Sequence, residues 1–493
     1  MSRAEATDGS MGDSVKSLVP ARMDRLPWTR FHWSIVVGLG TAWILDGLEI
    51  QMVSANGYAK MLDMSSTEVG FTGTVYLVGQ VVGALVFGRL ADKLGRRKFF
   101  IITLLVYLIG SGIAGFAPNM QFLWVFRFIA GLGIGGEYTA INSAIDELIP
   151  SHYRGRVDIA INGTYWGGAA LGAVANFFLL NPSHPDFSEN WGWRIGFFLG
   201  PVLGLIIIYL RRHIPESPRW QLTHGQADAA NKTVDEIEQR IHDEGVTDLP
   251  PVDESKAIEV RSIENVGARQ ILGVFFKKYP KRAATTIVMF VTQSFLYNAI
   301  FFSYALVLEN FYDVKNTAIY FIPFAIGNLI GPLVLGHLFD TWGRRKMIFL
   351  TYGLAGVVLA VSAILFNIGA LTAVTQTIFW CVAFFFASAG ASSAYLVASE
   401  SFPVELRSQA ISYFFAIGQI AGALAPVLYG ALIGDGSDRF PLTIGYFIGA
   451  VLMIGGGITA FLIGVDAERK SLEDITEPLS VVGASATKER KAN

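Results

Sequence analysis

The strongest constraint on this chain is a series of apolar runs, each long enough to cross a lipid bilayer. A hydrocarbon core of about 30 Å takes roughly 20 helical residues at about 1.5 Å per residue. Unpaired backbone amides are costly in hydrocarbon, so we expect each run to be a helix. Twelve runs reach this length: 31–54, 67–90, 98–116, 119–142, 157–180, 193–212, 283–308, 316–338, 346–366, 371–397, 408–433 and 441–464. The sequence therefore predicts an all-α membrane protein with twelve transmembrane helices.

The composition agrees with a membrane location. Of the 493 residues, 52% are hydrophobic and only 16% are charged, which gives more apolar surface than a soluble protein of this size can bury. The formal net charge of −2 gives no reason to expect a nucleic-acid partner. The single cysteine, Cys381, lies in an apolar run, which excludes an internal disulfide and favours a packed free thiol.

A motif in the first half of the chain returns in the second half. Gly88–Lys98 reads Gly-Arg-Leu-Ala-Asp-Lys-Leu-Gly-Arg-Arg-Lys, and Gly336–Lys346 reads Gly-His-Leu-Phe-Asp-Thr-Trp-Gly-Arg-Arg-Lys. Each copy falls between two long apolar runs, which predicts a tight turn between two helices. Internal repeats of this kind are typical of secondary transporters, in which two similar halves move about a site at mid-bilayer depth.

A second repeated spacing supports the same division. Glu147–Arg154 and Glu400–Arg407 share the pattern Glu-x-x-Pro-x-x-x-Arg, and both follow the fourth apolar run of their half. We therefore predict two pseudo-symmetric six-helix bundles. The expected division is an N-terminal tail at 1–30, a bundle at 31–212, a charged linker with short amphipathic helices at 213–282, a second bundle at 283–464 and a C-terminal tail at 465–493.

Basic residues in the connections predict the orientation of the chain. With the N-terminus inside, most of them fall on the cytoplasmic side: Arg22, Arg25, Arg30, Lys93–Lys98, Arg154, Arg156, Arg211, Arg212, Arg344–Lys346 and Arg407. The opposite connections hold Lys60, Lys315 and Arg439. This asymmetry favours two cytoplasmic termini. Met1–Arg30 lacks the apolar core of a cleavable signal peptide, so the first apolar run is expected to direct insertion.

Charged residues inside the apolar runs are candidates for proton coupling. Asp46 and Glu49 lie in the first run and Arg127 in the fourth, where charges are costly and therefore usually functional. Counting the helical rise places Asp46 and Arg127 at similar depths, so we expect them to pair and the protonation of Asp46 to release the pair. A static ion pair that helps the helices to assemble is the alternative. Glu137 is expected near the inner mouth beside Arg154, with a coupling role as the weaker alternative.

Amides and aromatic side chains in other runs are candidates for solute binding. Counting the helical rise places several of them near the middle of the bilayer, where they suit hydrogen bonding to, and stacking on, a small polar solute. The candidates are Asn162, Tyr165, Trp166, Gln293, Asn298, Gln419 and Trp380. The alternative is that the amides join neighbouring helices and that Trp380 packs in the interior.

The paired Gly-x-x-x-Asp-x-x-Gly-Arg-Arg-Lys loops resemble the signature of the major facilitator superfamily over about residues 31–470. The resemblance implies that these loops and the two Glu-Arg connections form a cytoplasmic gate in the outward-open state. The implied gate residues are Gly88, Asp92, Arg96, Arg97, Glu147, Arg154, Gly336, Asp340, Arg344, Arg345, Glu400 and Arg407. Cations that only set the topology are the alternative.

Shorter motifs resemble particular branches of that superfamily. Pro215–Trp220 and Val465–Ile475 are similar to motifs of sugar porters and their organic-ion relatives. The helix-seven motif of sugar porters, Gln-Leu-Ser-Gly-Ile-Asn, keeps only its ends here, as Gln293 and Asn298, and their tenth-helix Pro-Trp is replaced by Ala-Tyr. Asp46–Glu49 instead resembles the Asp-Gly-Phe-Asp of aromatic-acid:proton symporters, and Gly135–Tyr138 is similar to metabolite:proton symporters.

These features together predict a secondary transporter of the bacterial inner membrane that works by alternating access. We expect proton-coupled symport of a small organic metabolite, with an organic or aromatic carboxylate ahead of a sugar, although few cations besides Arg127 would face an anion. A sugar symporter or facilitator, a drug or metabolite exporter, and a transporter-like sensor are the alternatives. We expect no enzymatic activity, no cofactor other than the coupling proton, and a monomer in the lipid bilayer.

Overall fold

The computed structural model describes residues 15–54, 58, 61–64, 66–179, 185–211, 214–260, 268–314, 318–434, 436–476 and 479, apart from some side chains within these ranges. The first half of the chain contains helices α1 (Val19–Asp24), α2 (Arg30–Ser54), α3 (Ser66–Leu94), α4 (Arg96–Ala114), α5 (Met120–Leu148), α6 (Arg154–Leu179), α7 (Pro185–Phe187) and α8 (Trp193–Arg211). A π-helical turn, Ser188–Gly192, joins α7 to α8.

The middle and second half of the chain continue in the same helical style. They contain α9 (Pro218–Thr223), α10 (Ala227–Asp243), α11 (Ala268–Gly273), α12 (Pro280–Tyr312), α13 (Ala318–Thr341), α14 (Arg344–Asn367), α15 (Ala373–Glu400), α16 (Arg407–Ile433), α17 (Phe440–Ile463) and α18 (Leu472–Ile475). Short 3₁₀ turns occupy Glu254–Lys256 and Val404–Leu406, and a π turn occupies Val274–Lys278. Two short strands, β1 (Val15–Ser17) and β2 (Ile258–Val260), form an antiparallel pair.

The described residues include twelve helices of 19 to 33 residues, one for each predicted apolar run. Nine of them are long and apolar enough to cross a membrane by length and composition alone. The other three are α4, whose apolar part is short, and α5 and α6, which carry buried charged or polar side chains. The all-α fold class with twelve helices is confirmed.

The helix contacts within the two halves repeat the same pattern. In the first half, α2 packs against α6 and α8, α3 against α5, and α4 against α5 and α8. In the second half, α12 packs against α16 and α17, α13 against α15, and α14 against α15 and α17. Counting the long helices of each half in order, each contact in one half matches a contact in the other. We call these halves the N bundle and the C bundle.

Both copies of the repeated motif turn at a glycine with a left-handed backbone. Gly95 has φ 88° and Gly343 has φ 110°, and each is the residue directly before the next long helix. This conformation is costly for residues with a Cβ, so glycine is required at the two turns. We call the end of the bundles that carries these turns the signature end and the opposite end the far end.

The N-terminal segment, the linker and the C-terminal segment pack together at the signature end. We call residues 15–24, 218–260 and 471–476 the cap. Helix α10 buries one apolar face, formed by Ala230, Val234, Ile237 and Ile241. Arg219 of α9 is buried and pairs with Asp24 at 3.2 Å and with Glu473 at 3.1 Å. One side chain thus joins all three segments of the cap.

Candidate transport site

A cavity of about 200 Å³ lies between the two bundles. Its walls come from helices of both bundles, so it is a site that a relative movement of the bundles would reshape. The lining residues are Trp43, Ile50, Leu77, Gln80, Tyr138, Asn162, Tyr165, Trp166, Gln293, Ser294, Tyr297, Asn298, Phe301, Ser388, Ala391, Ser392, Tyr395, Phe415 and Gln419.

Six of the seven residues predicted to bind solute line this cavity: Asn162, Tyr165, Trp166, Gln293, Asn298 and Gln419. The seventh, Trp380, does not. Its side chain is 0% exposed and packs inside the C bundle, with its ring 5.7 Å from that of Tyr304. The placement of Trp380 was wrong because an apolar run does not reveal which of its aromatic residues face the neighbouring helices. Solute binding by the other six stays a prediction.

The described lining residues of the cavity carry no ionised side chain. Instead they offer amides, hydroxyls and aromatic faces. Two glutamine side chains meet across the bundles, where the Gln419 amide donates to Gln80 Oε1 at 3.5 Å. Gln419 Oε1 also accepts a hydrogen bond from Ser294 at 2.8 Å. Groups of this kind suit a compact solute that is neutral overall or brings its own counter-charge.

Several lining residues were absent from the sequence prediction: Trp43, Gln80, Tyr138, Tyr297, Ser388, Ser392 and Tyr395. Two signals were available for some of them. Trp43 precedes Asp46 by one helical turn and so shares its face. Tyr395 replaces a residue of the sugar-porter motif in the tenth long helix. Serines within an apolar run give no such signal, because they are common at helix contacts.

Asp46 lies beside the cavity and is held by two tyrosines. Its carboxylate is 0% exposed. Tyr76 donates to Oδ1 at 2.8 Å, and Tyr138 donates a short hydrogen bond to Oδ2. Both donors are neutral, so the charge state of Asp46 is not fixed by a direct ion pair. Tyr138 also stacks on Trp43 with ring centroids 4.3 Å apart, and both rings line the cavity.

The predicted pair between Asp46 and Arg127 was wrong. Arg127 forms its ion pair with Glu49 instead, at 2.5 Å, and both side chains are buried. Asp46 and Glu49 are three residues apart, which is about 4.5 Å of helical rise. This distance is smaller than the error of a depth that is counted from the expected helix ends, so the count could not tell which carboxylate faces Arg127. The Arg127 guanidinium also lies 4.0 Å from the centre of the Tyr76 ring, so Tyr76 connects the ion pair to Asp46.

Glu137 contacts a different helix from the one expected. Thr103 of α4 donates to its Oε2 at 3.0 Å. Arg154, the predicted neighbour of Glu137, instead forms ion pairs with Asp24, Asp146 and Glu400. Glu137 lies about three helical turns before Leu148, where α5 ends. It is therefore farther from the signature end than the connection that carries Arg154.

At the signature end, the aspartate of the second motif copy caps a helix of the other bundle. Asp340 accepts hydrogen bonds from the backbone amides of Gly155, at 3.0 Å, and Arg156, at 2.8 Å. These are free amides of the first turn of α6, where a carboxylate is favoured by both hydrogen bonding and the helix dipole. Arg344 contacts Asp340 at 2.7 Å and forms a two-pronged contact with Glu400, with both distances 3.1 Å.

The two Glu-Arg connections are joined crosswise. Arg154 of the N bundle lies 3.5 Å from Glu400 of the C bundle, and Arg407 of the C bundle lies 3.4 Å from Glu147 of the N bundle. All four side chains are buried. Each bundle thus supplies an arginine to the other at the same level, as the repeated spacing requires. Separating the bundles at the signature end breaks both contacts.

Three further gate candidates differ in their contacts. Gly88 of α3 packs so closely on α16 that an added Cβ would overlap the Ser412 hydroxyl. At Gly336, an added Cβ would lie 3.4 Å from the Arg156 carbonyl oxygen, an ordinary contact. Arg345 is partly exposed and pairs with Asp466 at 3.2 Å within its own half. The side chains of Asp92, Arg96 and Arg97 lie outside the described residues.

Comparison with known proteins identifies the family. The family model for "Sugar (and other) transporter" matches residues 30–478. The chain belongs to this family. It is therefore a transporter and not an enzyme, and it needs no prosthetic cofactor. As a transporter with this set of apolar helices, it is a multi-pass membrane protein.

Several curated relatives of this transporter are named as transporters of metabolites. It is 26% identical over 460 residues to the niacin transporter NiaP of Acinetobacter baylyi, covering 92% of this chain and 99% of that protein. It is 28% identical over 476 residues to the putative metabolite transport protein YdjK of Escherichia coli, covering 92% and 96%. It is 24% identical over 454 residues to the benzoate transport protein of A. baylyi, covering 88% and 90%.

Solved structures place the transporter in the major facilitator fold. The proton:xylose symporter XylE, bound to 6-bromo-6-deoxy-D-glucose, aligns with a TM-score of 0.75 at 18% identity and covers 90% of this chain and 98% of that one. The inward-open conformation of XylE from E. coli aligns with a TM-score of 0.58 at 17% identity, covering 90% and 98%. At these identities the likeness concerns the fold alone.

Proposed function

We propose that this transporter couples the entry of a proton to the uptake of a small organic metabolite by alternating access. The observation that carries the proposal is the buried Asp46, which sits directly behind the cavity wall and is bonded to the cavity-lining Tyr138. A solute that displaces Tyr138 would alter the hydrogen bonding of Asp46. Solute binding and proton binding would then affect each other.

The charges around Asp46 suit reversible protonation. Arg127 is neutralised by Glu49, so Asp46 can gain or lose a proton without leaving a buried arginine unpaired. An ionised carboxylate is stable while water reaches it, whereas an enclosed carboxylate is held more cheaply in its neutral form. The site is thus expected to take a proton when it is enclosed with the solute and to lose it when the opposite side opens.

The solute that we favour is a small aromatic or other organic carboxylate. The aromatic rings of Trp43, Tyr138 and Trp166 offer stacking faces, and the amides of Asn162 and Gln419 offer hydrogen bonds. A carboxylate would balance its charge with the proton on Asp46, since no cation lies among the described lining residues. The names of the niacin and benzoate transporters fit this class of solute.

A sugar is the second candidate. The described amides and serine hydroxyls of the cavity wall would bond well to the hydroxyls of a sugar, and the XylE structures share the fold. Aromatic rings also stack on sugar faces. Phe295 and Leu296 stand where sugar porters have Ser-Gly, so the helix-seven motif of sugar porters is not kept, and this departure favours the carboxylate over the sugar.

The orientation and the gate complete the proposal. We infer that the transporter resides in a bacterial inner membrane with its signature end and both termini in the cytoplasm, because the basic connections cluster at that end. The crossed contacts of Glu147, Arg154, Glu400 and Arg407 would hold this end closed while the cavity faces outward. A monomer is sufficient for this cycle, since the cavity is formed within one chain.

The test is uptake by proteoliposomes of a labelled panel that contains nicotinate, benzoate, succinate and xylose, with and without an inward-directed proton gradient. The Asp46→Asn variant is compared with Asp313→Asn, a matched change at an exposed aspartate of the far end. We expect gradient-driven accumulation of an aromatic acid, which Asp46→Asn abolishes while leaving solute exchange intact. Uptake that ignores both the gradient and the Asp46→Asn substitution would leave a facilitator and refute proton coupling.

A further inference from the structure

Two buried aspartates at the signature end take no part in the transport site or in the contacts between the two bundles described above. Asp146 lies near the end of α5, and Asp158 lies in the second turn of α6; both are 0% exposed. Within the described part of the chain, neither carboxylate oxygen of Asp158 has a hydrogen-bond partner. The nearby amide of Asn162 donates instead to Asn142 Oδ1, at 2.9 Å, and to the main-chain oxygen of Asp158, at 2.8 Å.

Asp146 is held almost as weakly. Neither of its carboxylate oxygens accepts a hydrogen bond from a described residue, and among these residues it forms one ion pair, with Arg154 Nε at 3.9 Å. The hydroxyl of Ser399, on the facing helix α15, donates to the main-chain oxygen of Leu396 at 2.8 Å. A buried carboxylate with so few partners is expensive to keep ionised.

Among the described side chains, carboxyl groups outnumber arginines where these helices meet. The buried charged groups that act on Asp158 are Asp146 on α5, Arg344 on α14 and Glu400 on α15, and those that act on Asp146 include Arg154 on α6 and Arg407 on α16. Glu147 on α5 and Asp340 on α13 are buried against these arginines, and Arg219 on α9 donates to the main-chain oxygen of Glu147. Arg344 is bound to Asp340 and Glu400, and Arg407 to Glu147. Arg154 is shared among Asp24, Asp146 and Glu400, and Arg219 is paired with Asp24 and Glu473, so none of the described arginines forms an ion pair with Asp158.

We propose that Asp158, backed by Asp146, is a second proton-binding site, which holds a proton while the bundles are closed at the signature end and releases it when they separate. The step is a simple acid dissociation, in which the carboxylic acid loses its proton to water on the signature side. Asp158 is distinct from Asp46, since it lies at the level of the gate rather than behind the cavity.

Closure is what makes the site proton-dependent. Helix α6 packs against α13 and α15 of the C bundle, and Glu400 and Arg344 act electrostatically on Asp158 from that side. When the bundles separate, Glu400 moves away and water reaches Asp158, which then ionises as an ordinary aspartate does. When they close, the carboxylate loses water without gaining a partner, so a proton binds.

A proton that binds only to the closed form makes the equilibrium between the closed and open forms depend on pH. The ratio of closed to open forms should fall by up to about tenfold per pH unit for each proton bound on closing. In a transport cycle, acidification on the signature side would therefore retard opening to that side. Uptake would slow as protons accumulate there.

The experiment measures closure at the signature end without solute. Spin labels are placed on the exposed positions Lys98 and Trp342 in a Cys381→Ala background, and their distance distribution is recorded in lipid nanodiscs from pH 5 to pH 9. The same pair is measured with Asp158→Asn, which mimics the protonated acid. It is also measured with Asp158→Ser, which replaces the carboxyl group with a smaller, neutral hydroxyl. Asp313→Asn serves as the control and should match the parent protein.

In the parent protein we expect the closed fraction to fall as the pH rises. Both Asp158 variants should stay closed at high pH. Their ratio of closed to open forms should lack the change of up to about tenfold per pH unit that the proton on Asp158 causes in the parent protein. The same pH response in the parent protein and in both variants would overturn the proposal. The inference rests on the alternating access of the proposed function, but this test uses neither solute nor gradient, so its failure would leave the uptake result unaffected.

Discussion

At the scale of single residues, charges inside apolar runs were the most readable feature of the sequence. Asp46, Glu49 and Arg127 stood out because an ionised group in hydrocarbon is costly unless it has a function or a partner. Their pairing was not readable, since one helical turn separates Asp46 from Glu49. Tyr138 was missed for a different reason: an aromatic residue in an apolar run looks the same whether it faces a cavity or a neighbouring helix. Trp43 could have been found, since it lies one helical turn before Asp46.

The ion pair between Glu49 and Arg127 gives a stability prediction. Glu49→Gln should destabilise the protein by about 3–5 kcal/mol, because it leaves a buried arginine unpaired. Asp46→Asn should cost less, since the donors to Asp46 are neutral tyrosines. Thermal unfolding in detergent measures both. Adding Arg127→Met to Glu49→Gln should recover much of the loss, and a double variant no more stable than Glu49→Gln would count against the pairing.

Two tryptophans make a matched comparison for solute binding. Trp166 lines the cavity, whereas Trp380 is buried within the C bundle. Trp166→Phe should weaken solute binding by up to about tenfold through poorer stacking, while Trp380→Phe should leave the KM for uptake unchanged. Initial rates over a range of solute concentrations separate the two cases. Equal effects of both substitutions on KM would contradict the assignment of Trp166 to the solute site.

At the scale of helices, the sequence repeat predicted the positions of the turns better than the contacts around them. Gly95 and Gly343 occupy equivalent left-handed turns, as their shared motif requires. The first glycines of the two motifs differ, since Gly88 is in tight contact with α16 and Gly336 is not in tight contact with α6. The motif repeats in the sequence, but the distance between two packed helices depends on the side chains of both helices.

The close packing at Gly88 predicts an effect on closure at the signature end. Gly88→Ala should raise the energy of the closed form by about 1–3 kcal/mol, because its Cβ overlaps Ser412. The ratio of closed to open forms should therefore fall about fivefold or more. Gly73→Ala, on the same helix with no atom within 4 Å, is the control. Spin-label distances across the signature end test this, and equal distances in the two variants would exclude a steric role for Gly88.

The cap is expected to loosen in acid. Burial alone would raise the pKa of Glu238, but hydrogen bonds from Arg22 and Arg25 outweigh it and lower that pKa below its ordinary value of 4.5. The stabilisation is therefore complete above about pH 4.5 and is lost as the pH falls through the lower value in the folded protein. The protection of the amides of residues 15–24 against exchange, relative to the unfolded rate at the same pH, should fall between pH 5 and pH 3. Glu238→Gln should show fast exchange already at pH 7, and slow exchange in this variant would exclude the contribution of Glu238.

At the scale of the whole molecule, the fold was predictable and the cap was not. Each of the twelve long helices coincides with a predicted apolar run, because the thickness of the bilayer fixes the length of a span. The division at 31–212, 213–282 and 283–464 stays a prediction. The bilayer thickness places no constraint on the charged linker. The sequence of the linker did not indicate that β2 pairs with a strand that precedes the first long helix.

The strand pair has a consequence for the order in which the molecule is made. Strand β1 leaves the ribosome before any long helix, whereas its partner β2 is synthesised only after six of them. During that interval β1 has no partner, so the cap forms only after the N bundle has been inserted and its linker has returned to the signature end. Pairing of β1 with β2 therefore marks the completion of the first half of biogenesis, and the cap is complete only when residues 471–476 have been added. A nascent chain that stalls before β2 would present an unpaired strand to its surroundings.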